Sequence, residues 1–171
     1  MKKRTIILCC IITSFLFLLG ASGFMMKQKH DFRQTIADIP AFCLPQVTDN
    51  LLFCNTQIAK DKPVLLIYLH PECDFCHAKA HQIQQKEVNT RDIQMVLVSF
   101  AERDSLVKFV ETYNLTDMSG LVVLMDSQLL LYDRLQVASI PTTYIYDRRH
   151  RLVDVKQGAA KLEKLIQLAN Q

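Results

Sequence analysis

The chain has no internal repeat, no low-complexity tract, no tryptophan and, apart from Cys73-Asp74-Phe75-Cys76, no Cys-x-x-Cys pair. Without repeats, and at 171 residues, it has room for one ordinary domain plus an export segment, but not for two domains. Without a second cysteine pair, or a histidine pair set apart from the first along the chain, Cys73 and Cys76 have no partners to complete a four-ligand zinc site. Surplus charge is also missing. Of 20 basic residues, Lys2, Lys3 and Arg4 belong to the leader, which leaves 17 against 17 acidic ones in the body. A neutral body with no basic run excludes nucleic acid as a partner, because that binding needs clustered Lys and Arg to release counterions.

What the chain does have begins with the leader. Thr5 to Met26 is a run of 22 residues without a charge, preceded by Lys2, Lys3 and Arg4. Two readings stay open. The core Ile6 to Leu19 followed by Ala21-Ser22-Gly23 fits a cleaved signal peptide. The full run, about 33 Å long as a helix, also suffices for an uncleaved anchor with its basic end in the cytoplasm. Length favours the anchor. Residues 1–26 are therefore expected to be a signal anchor or signal peptide, 27–39 a tether, and 40–171 the working domain. Either reading exports the domain to a compartment where thiols oxidise, so Cys43, Cys54, Cys73 and Cys76 become candidate disulfide partners.

Along the domain, Ala41–Leu44 and Leu51–Cys54 flank a polar turn and read as a hairpin. Val64–Leu69 is a continuous apolar run, the mark of a strand covered on both faces, and Pro71 ends it. A helix from Cys73 to about Lys86 follows, then a strand over Ile93–Phe100 and a helix capped by Asp104 and running to Tyr113. A strand over Leu121–Met125, a short helix over Leu129–Leu135, a hairpin of Thr142–Tyr146 with Leu152–Lys156, and a helix over Ala159–Ala169 complete the pattern. Strands alternating with helices, closed by a hairpin and a helix, predict an α/β sandwich around a mixed central sheet.

The cysteine pair carries the chemistry. Cys73 falls where the apolar run gives way to a helix, so its sulfur lies over unpaired N–H groups that favour the thiolate. A spacing of three puts the second sulfur one turn on and deeper. Cys73 is thus expected to attack a substrate disulfide, and Cys76 to resolve the mixed intermediate. Far downstream, Pro141 opens a strand where proline would ordinarily weaken one. A cis Ile140–Pro141 bond would set the backbone of Ile140 beside the cysteines, where an extended substrate could pair with it; an ordinary strand-edge proline is the plain alternative. Phe75, between the cysteines, reads as part of an exposed apolar rim that substrates touch.

Together these residues resemble the thioredoxin superfamily, and in detail its exported, membrane-tethered thiol–disulfide oxidoreductases, the TlpA-like group. The resemblance spans about residues 40–171 and rests on Pro40-Ala41-Phe42, Lys62-Pro63-Val64-Leu65, Cys73-x-x-Cys76, Leu124-Met125-Asp126, Ile140-Pro141-Thr142-Thr143 and Gly158. It implies a thioredoxin-like fold, with mixed sheet and flanking helices behind an N-terminal β-hairpin and an export or anchor helix. It further implies a dithiol/disulfide enzyme without cofactor or metal, facing the periplasm. Its partners would be protein thiols and disulfides and an upstream membrane or periplasmic electron donor.

Several residues depart from the group. His70-Pro71-Glu72 replaces its usual Trp-x-x-Trp lead-in, and Asp74-Phe75 stands where a proline is often found. Ile67 occupies the place of an aspartate that many thioredoxins bury as proton acceptor, and Lys79 the place of a glutamate in some tethered reductases. The proton acceptor for Cys76 is therefore unassigned. Glu72 and Asp74 should oppose a thiolate at Cys73, while the helix N-terminus, Lys79 and a protonated His77 should favour it. The balance points to a reductant or isomerase rather than a strong oxidant.

Cys43 and Cys54 lie on the two arms of the first hairpin, with Phe42, Leu44 and Phe53 turned to the core. They would form a structural disulfide if the register set them face to face; counting from the turn places Cys43 opposite Asn55 instead, one residue off. His70, His77 and His81 read as loop and helix residues. Two rival functions share the expected fold. A copper chaperone would use Cys73, Cys76 and a histidine, and a thiol peroxidase would want a threonine where His70 stands.

Overall fold

The computed structural model describes residues 2–85, 92–116 and 118–171, with side chains left out for 2–13 and 28–32. It divides into two compact units, residues 1–35 and 36–171. The first is one continuous helix, α1 (Lys2–Thr35). The polar stretch from Lys27 thus continues the leader helix as far as Thr35. Among the described residues, no helix is long and apolar enough to cross a membrane. The second unit takes in the remaining residues before Pro40: Ile36 is fully buried, and Ala37 O accepts the N–H of Leu152 at 2.7 Å.

The second unit is built on a five-stranded mixed sheet of order β5-β4-β3-β6-β7. Its strands are β3 (Val64–Tyr68), β4 (Gln94–Ser99), β5 (Leu121–Met125), β6 (Thr142–Tyr146) and β7 (Leu152–Gln157). β3 is central because both its faces are covered: every residue from Val64 to Leu69 has no exposed surface. It runs parallel to β4 and antiparallel to β6, with Tyr68 beside Val98 on one side and Thr142 on the other. Among the described residues, four α-helices complete the unit: α2 (Asp74–Gln85), α3 (Arg103–Thr112), α4 (Leu130–Arg134) and α5 (Leu162–Ala169). Elements expected from the sequence appear within a few residues of their expected bounds. The expected end of α2 at Lys86 lies outside the described residues.

Two local expectations are corrected. Asp104 does not cap α3. Glu102 holds the cap position, without a side-chain bond, and Asp104 lies in the first turn, where its charge still suits the helix dipole. The first hairpin, β1 (Cys43–Pro45) with β2 (Leu52–Cys54), pairs Cys43 with Cys54 and not with Asn55. The turn is one residue tighter than the count from the polar stretch, because Gln46 and Leu51 close it by a 2.9 Å backbone bond. Cys43 and Cys54 are joined in a disulfide. Phe42, Leu44 and Phe53 face inward, and the hairpin leans on the sheet through Val47 N–H to Val123 O at 2.9 Å.

This disulfide closes a loop of 11 residues in sequence, a constraint on the unfolded chain worth about 2–3 kcal/mol. Replacing Cys43 and Cys54 together by serine should lower stability by about that amount. Thermal unfolding of the full chain measures it, and an unchanged midpoint would contradict the assignment.

Candidate active site

The site forms where β3 ends and α2 begins. Leu69 N–H still bonds Val98 O at 2.9 Å, but Pro71 has no N–H to give and the strand stops. Cys73 O then accepts the N–H groups of Cys76 at 2.8 Å and His77 at 3.1 Å, which starts the helix. Cys73 is half-buried at the mouth of the helix, and its thiol points to Ile140 O at 3.5 Å. The Ile140–Pro141 peptide bond is cis. Cys76 is fully buried, and its sulfur accepts the N–H of His70 at 3.4 Å.

The buried stripe of α2 is Cys76, Lys79, Ala80 and Ile83, the i, i+3, i+4, i+7 spacing of one helix face. Lys79 therefore faces inward together with the second cysteine, and no surface of it is exposed. Its Nζ donates to Ala160 O. That carbonyl is brought there after β7 by Gly158, whose φ of +75° lies in the left-handed region open to glycine, and whose N–H bonds Pro141 O at 2.7 Å. Burial is the largest influence on both groups. It pushes the Cys76 thiol up to about 12 and pulls the Lys79 ammonium down to about 8. Each group also acts on the other, Cys76 raising Lys79 and Lys79 lowering Cys76.

The remaining candidates divide between the site and its surroundings. Phe75 is 61 % exposed beside Cys73. Glu72 and Asp74 are exposed at the same turn, and Pro141 is buried. His77 turns away, its Nδ1 2.8 Å from the Tyr113 hydroxyl and its ring against Phe109. The His70 ring lies tilted against Phe100 at 4.7 Å and accepts the N–H of Glu72 on Nδ1. His81 pairs with Gln85 on the exposed side of α2. Among the described residues, no group of three His, Cys, Asp or Glu is arranged to hold a metal ion. Sequence reasoning set Lys79 among the groups acting on Cys73; the structure places it with Cys76, as the spacing of 76, 79, 80 and 83 could have revealed. It named Asp126 in the resemblance but gave it no role; the residue is fully buried, accepts the Tyr68 hydroxyl at 2.8 Å, and caps α4 through the N–H groups of Leu130, Leu131 and Tyr132.

The family model for the AhpC/TSA family matches residues 37–155, a span holding the strand–helix junction, both cysteines and Pro141. The chain belongs to the AhpC/TSA family. Similar to it is the thiol-disulfide oxidoreductase ResA of Oceanobacillus iheyensis, 24% identical over 167 residues, which cover 95% of this chain and 83% of that one. Among solved structures, a secreted Mycobacterium tuberculosis disulfide oxidoreductase homologous to E. coli DsbE superposes with a TM-score of 0.65 at 19% identity, covering 80% of this chain and 96% of that one. The peroxidoxin BcpB of the same organism superposes with a TM-score of 0.64, also at 19% identity, covering 77% and 93%. The fold is thioredoxin-like. Within this AhpC/TSA chain, Ile67 is buried and apolar, so the ionisable neighbour of Cys76 on the inner face of the helix is Lys79.

The buried lysine has a measurable cost. Its ammonium form is disfavoured in the fold, since burial takes the group from 10.5 to about 8, a penalty on the order of 3 kcal/mol while it stays charged. Below pH 8 folded and unfolded chains both carry the charge and the penalty is full; between about 8 and 10.5 only the unfolded chain does, and the penalty fades. Lys79→Met should therefore raise the melting temperature most at pH 6–7, with the gain shrinking toward pH 10. A gain independent of pH would count against a buried ionisable group.

Proposed function

We propose that this chain is a thiol–disulfide oxidoreductase that reduces protein disulfides through Cys73 and Cys76. The observation that carries the reading is the asymmetry of the pair: Cys73 half-exposed at a helix start, Cys76 buried one turn behind it. In this reading Cys73 attacks the substrate disulfide and Cys76 resolves the mixed disulfide. Ile140 O, already in contact with the Cys73 sulfur, is placed to pair with an extended substrate backbone, with Pro141 fixing that loop and Phe75 offering an apolar surface. Glu72 and Asp74 tune the site from its rim, and no cofactor takes part.

The domain acts outside the cytoplasm, as the Cys43–Cys54 disulfide supports, because such bonds persist in oxidising compartments. The uncharged run Thr5–Met26 behind Lys2, Lys3 and Arg4 supports export and favours retention as an anchor, with the domain facing the periplasm and drawing electrons from a membrane or periplasmic donor. Fractionation decides retention: a chain recovered at full length in washed membranes agrees, and a shortened soluble chain does not.

Cys73→Ser should abolish reduction of insulin disulfides, and Cys76→Ser should accumulate a mixed disulfide with substrate at Cys73. Mass spectrometry of trapped complexes reads both. Activity surviving in Cys73→Ser would sink the reading, and rapid consumption of hydrogen peroxide by the wild type would favour a thiol peroxidase on the same fold.

A further inference from the structure

Cys76 must lose a proton before it can attack, and its surroundings offer few places to put one. The cluster that encloses it contains Ile67, Leu69, Ile145 and Leu162, all apolar. The ionisable groups acting on Cys76 are Cys73 and Lys79, and the one acting on Lys79 is Cys76. On the packed elements, β3 and the residue after it present Ile67 and Leu69, while Lys161, just before α5, and Glu163 and Lys164 within it are exposed. On α2 itself Asp74 and His81 are exposed, and the ring of His77 is engaged with Tyr113 and Phe109.

We infer that Lys79, held by the Ala160 carbonyl on the buried face of α2, is the proton acceptor for Cys76 in the resolving step. The inference rests on the thiol–disulfide reading above and assigns that reaction its base. A neutral amine has two N–H groups and one lone pair. One N–H is engaged by Ala160 O, which holds the amine on the buried helix face it shares with Cys76, and the lone pair remains for the thiol proton. The step then balances. Cys73 Sγ is bonded to a substrate sulfur; Cys76 gives its proton to Lys79 and the thiolate attacks Cys73 Sγ. The Cys73–Cys76 disulfide forms, and the bond to the substrate sulfur breaks. The leaving sulfur departs as a thiolate with the electron pair and takes a proton from solvent, and the Lys79 ammonium later returns its own. Two electrons pass from the protein dithiol to the substrate disulfide. The ammonium and thiolate that form together offset each other's charge in a site that penalises either alone.

The test follows the two thiols separately. Full-length chain in detergent, with Cys9 and Cys10 replaced by serine, Cys43–Cys54 kept oxidised and Cys73–Cys76 reduced, is mixed with one equivalent of 5,5′-dithiobis(2-nitrobenzoate) in a stopped-flow instrument. The first coloured thiolate reports attack by Cys73 and the second reports resolution by Cys76. In the wild type the second phase should accelerate with pH and level off above about 8, where Lys79 is neutral. Lys79→Met should leave the first phase within about twofold and slow the second roughly a hundredfold at pH 8, the low end of what a positioned base supplies. Lys79→Arg keeps the charge but cannot accept the proton, so it should be as slow as Lys79→Met; Lys79→His should recover part of the rate.

A second phase unchanged in Lys79→Met, or fully restored by Lys79→Arg, overturns the assignment while the dithiol reading stands. Should a variant lose the first phase through misfolding, the wild-type profile decides, because a second phase that keeps rising past pH 10 without levelling excludes Lys79 as the base. A wild type that releases no second thiolate would overturn the dithiol reading itself.

Discussion

Cys76 and Lys79 share one face of one helical turn, and that face is closed to water by β3 and α5. A thiol and an amine in such a place are each held toward their neutral forms, because a lone charge there has no solvent and no opposite charge fixed beside it. The one charged arrangement the pocket tolerates well is the pair of charges made together. Much of the neighbouring architecture maintains this closure. Leu65 and Ile67 of β3 supply an apolar wall, α5 covers the opening, and the Gly158 turn delivers the carbonyl that holds the amine. Cys73 lies outside the closure, where a substrate can meet it. The difference in environment between the two sulfurs thus comes from where the strand stops, and Pro71 sets that point.

The same strand–helix junction explains what could be read from the sequence and what could not. The central strand was legible in Val64–Leu69 because burial on both faces leaves an unbroken apolar run, and the helix start was legible because Pro71 and the cysteine spacing mark it. Leu121–Met125 and Thr142–Tyr146 were found at their observed bounds for the same reason. The hairpin register was not legible. A slip of one residue exchanges Asn55 for Cys54 opposite Cys43, and only the closing bond between Gln46 and Leu51 settles it. The cap of α3 failed similarly, since Glu102 caps by position and makes no side-chain bond that a pattern could announce.

Lys79 escaped for a more general reason. A lysine in a helix is taken as exposed by default, because burying an ammonium is expensive. Its place on the stripe of 76, 79, 80 and 83 pointed the other way, and tertiary packing favoured the stripe. Places where a local rule is broken in this way are where function collects. A fold that serves several chemistries does not choose among them; the groups around the cysteines do.

Those groups bear on the direction of electron flow. A strong oxidant keeps its reduced form stable by ionising a thiol easily, and burial, which pushes the Cys76 thiol up to about 12, denies the second cysteine that source of stability. On the proposed reading the pair therefore acts as a donor. The reduction potential of Cys73–Cys76, from equilibration of the full chain against graded dithiothreitol or glutathione couples, tests this most directly. The account predicts a value close to the ~−270 mV of thioredoxin, and a value close to the ~−120 mV of a strong disulfide oxidant would contradict it.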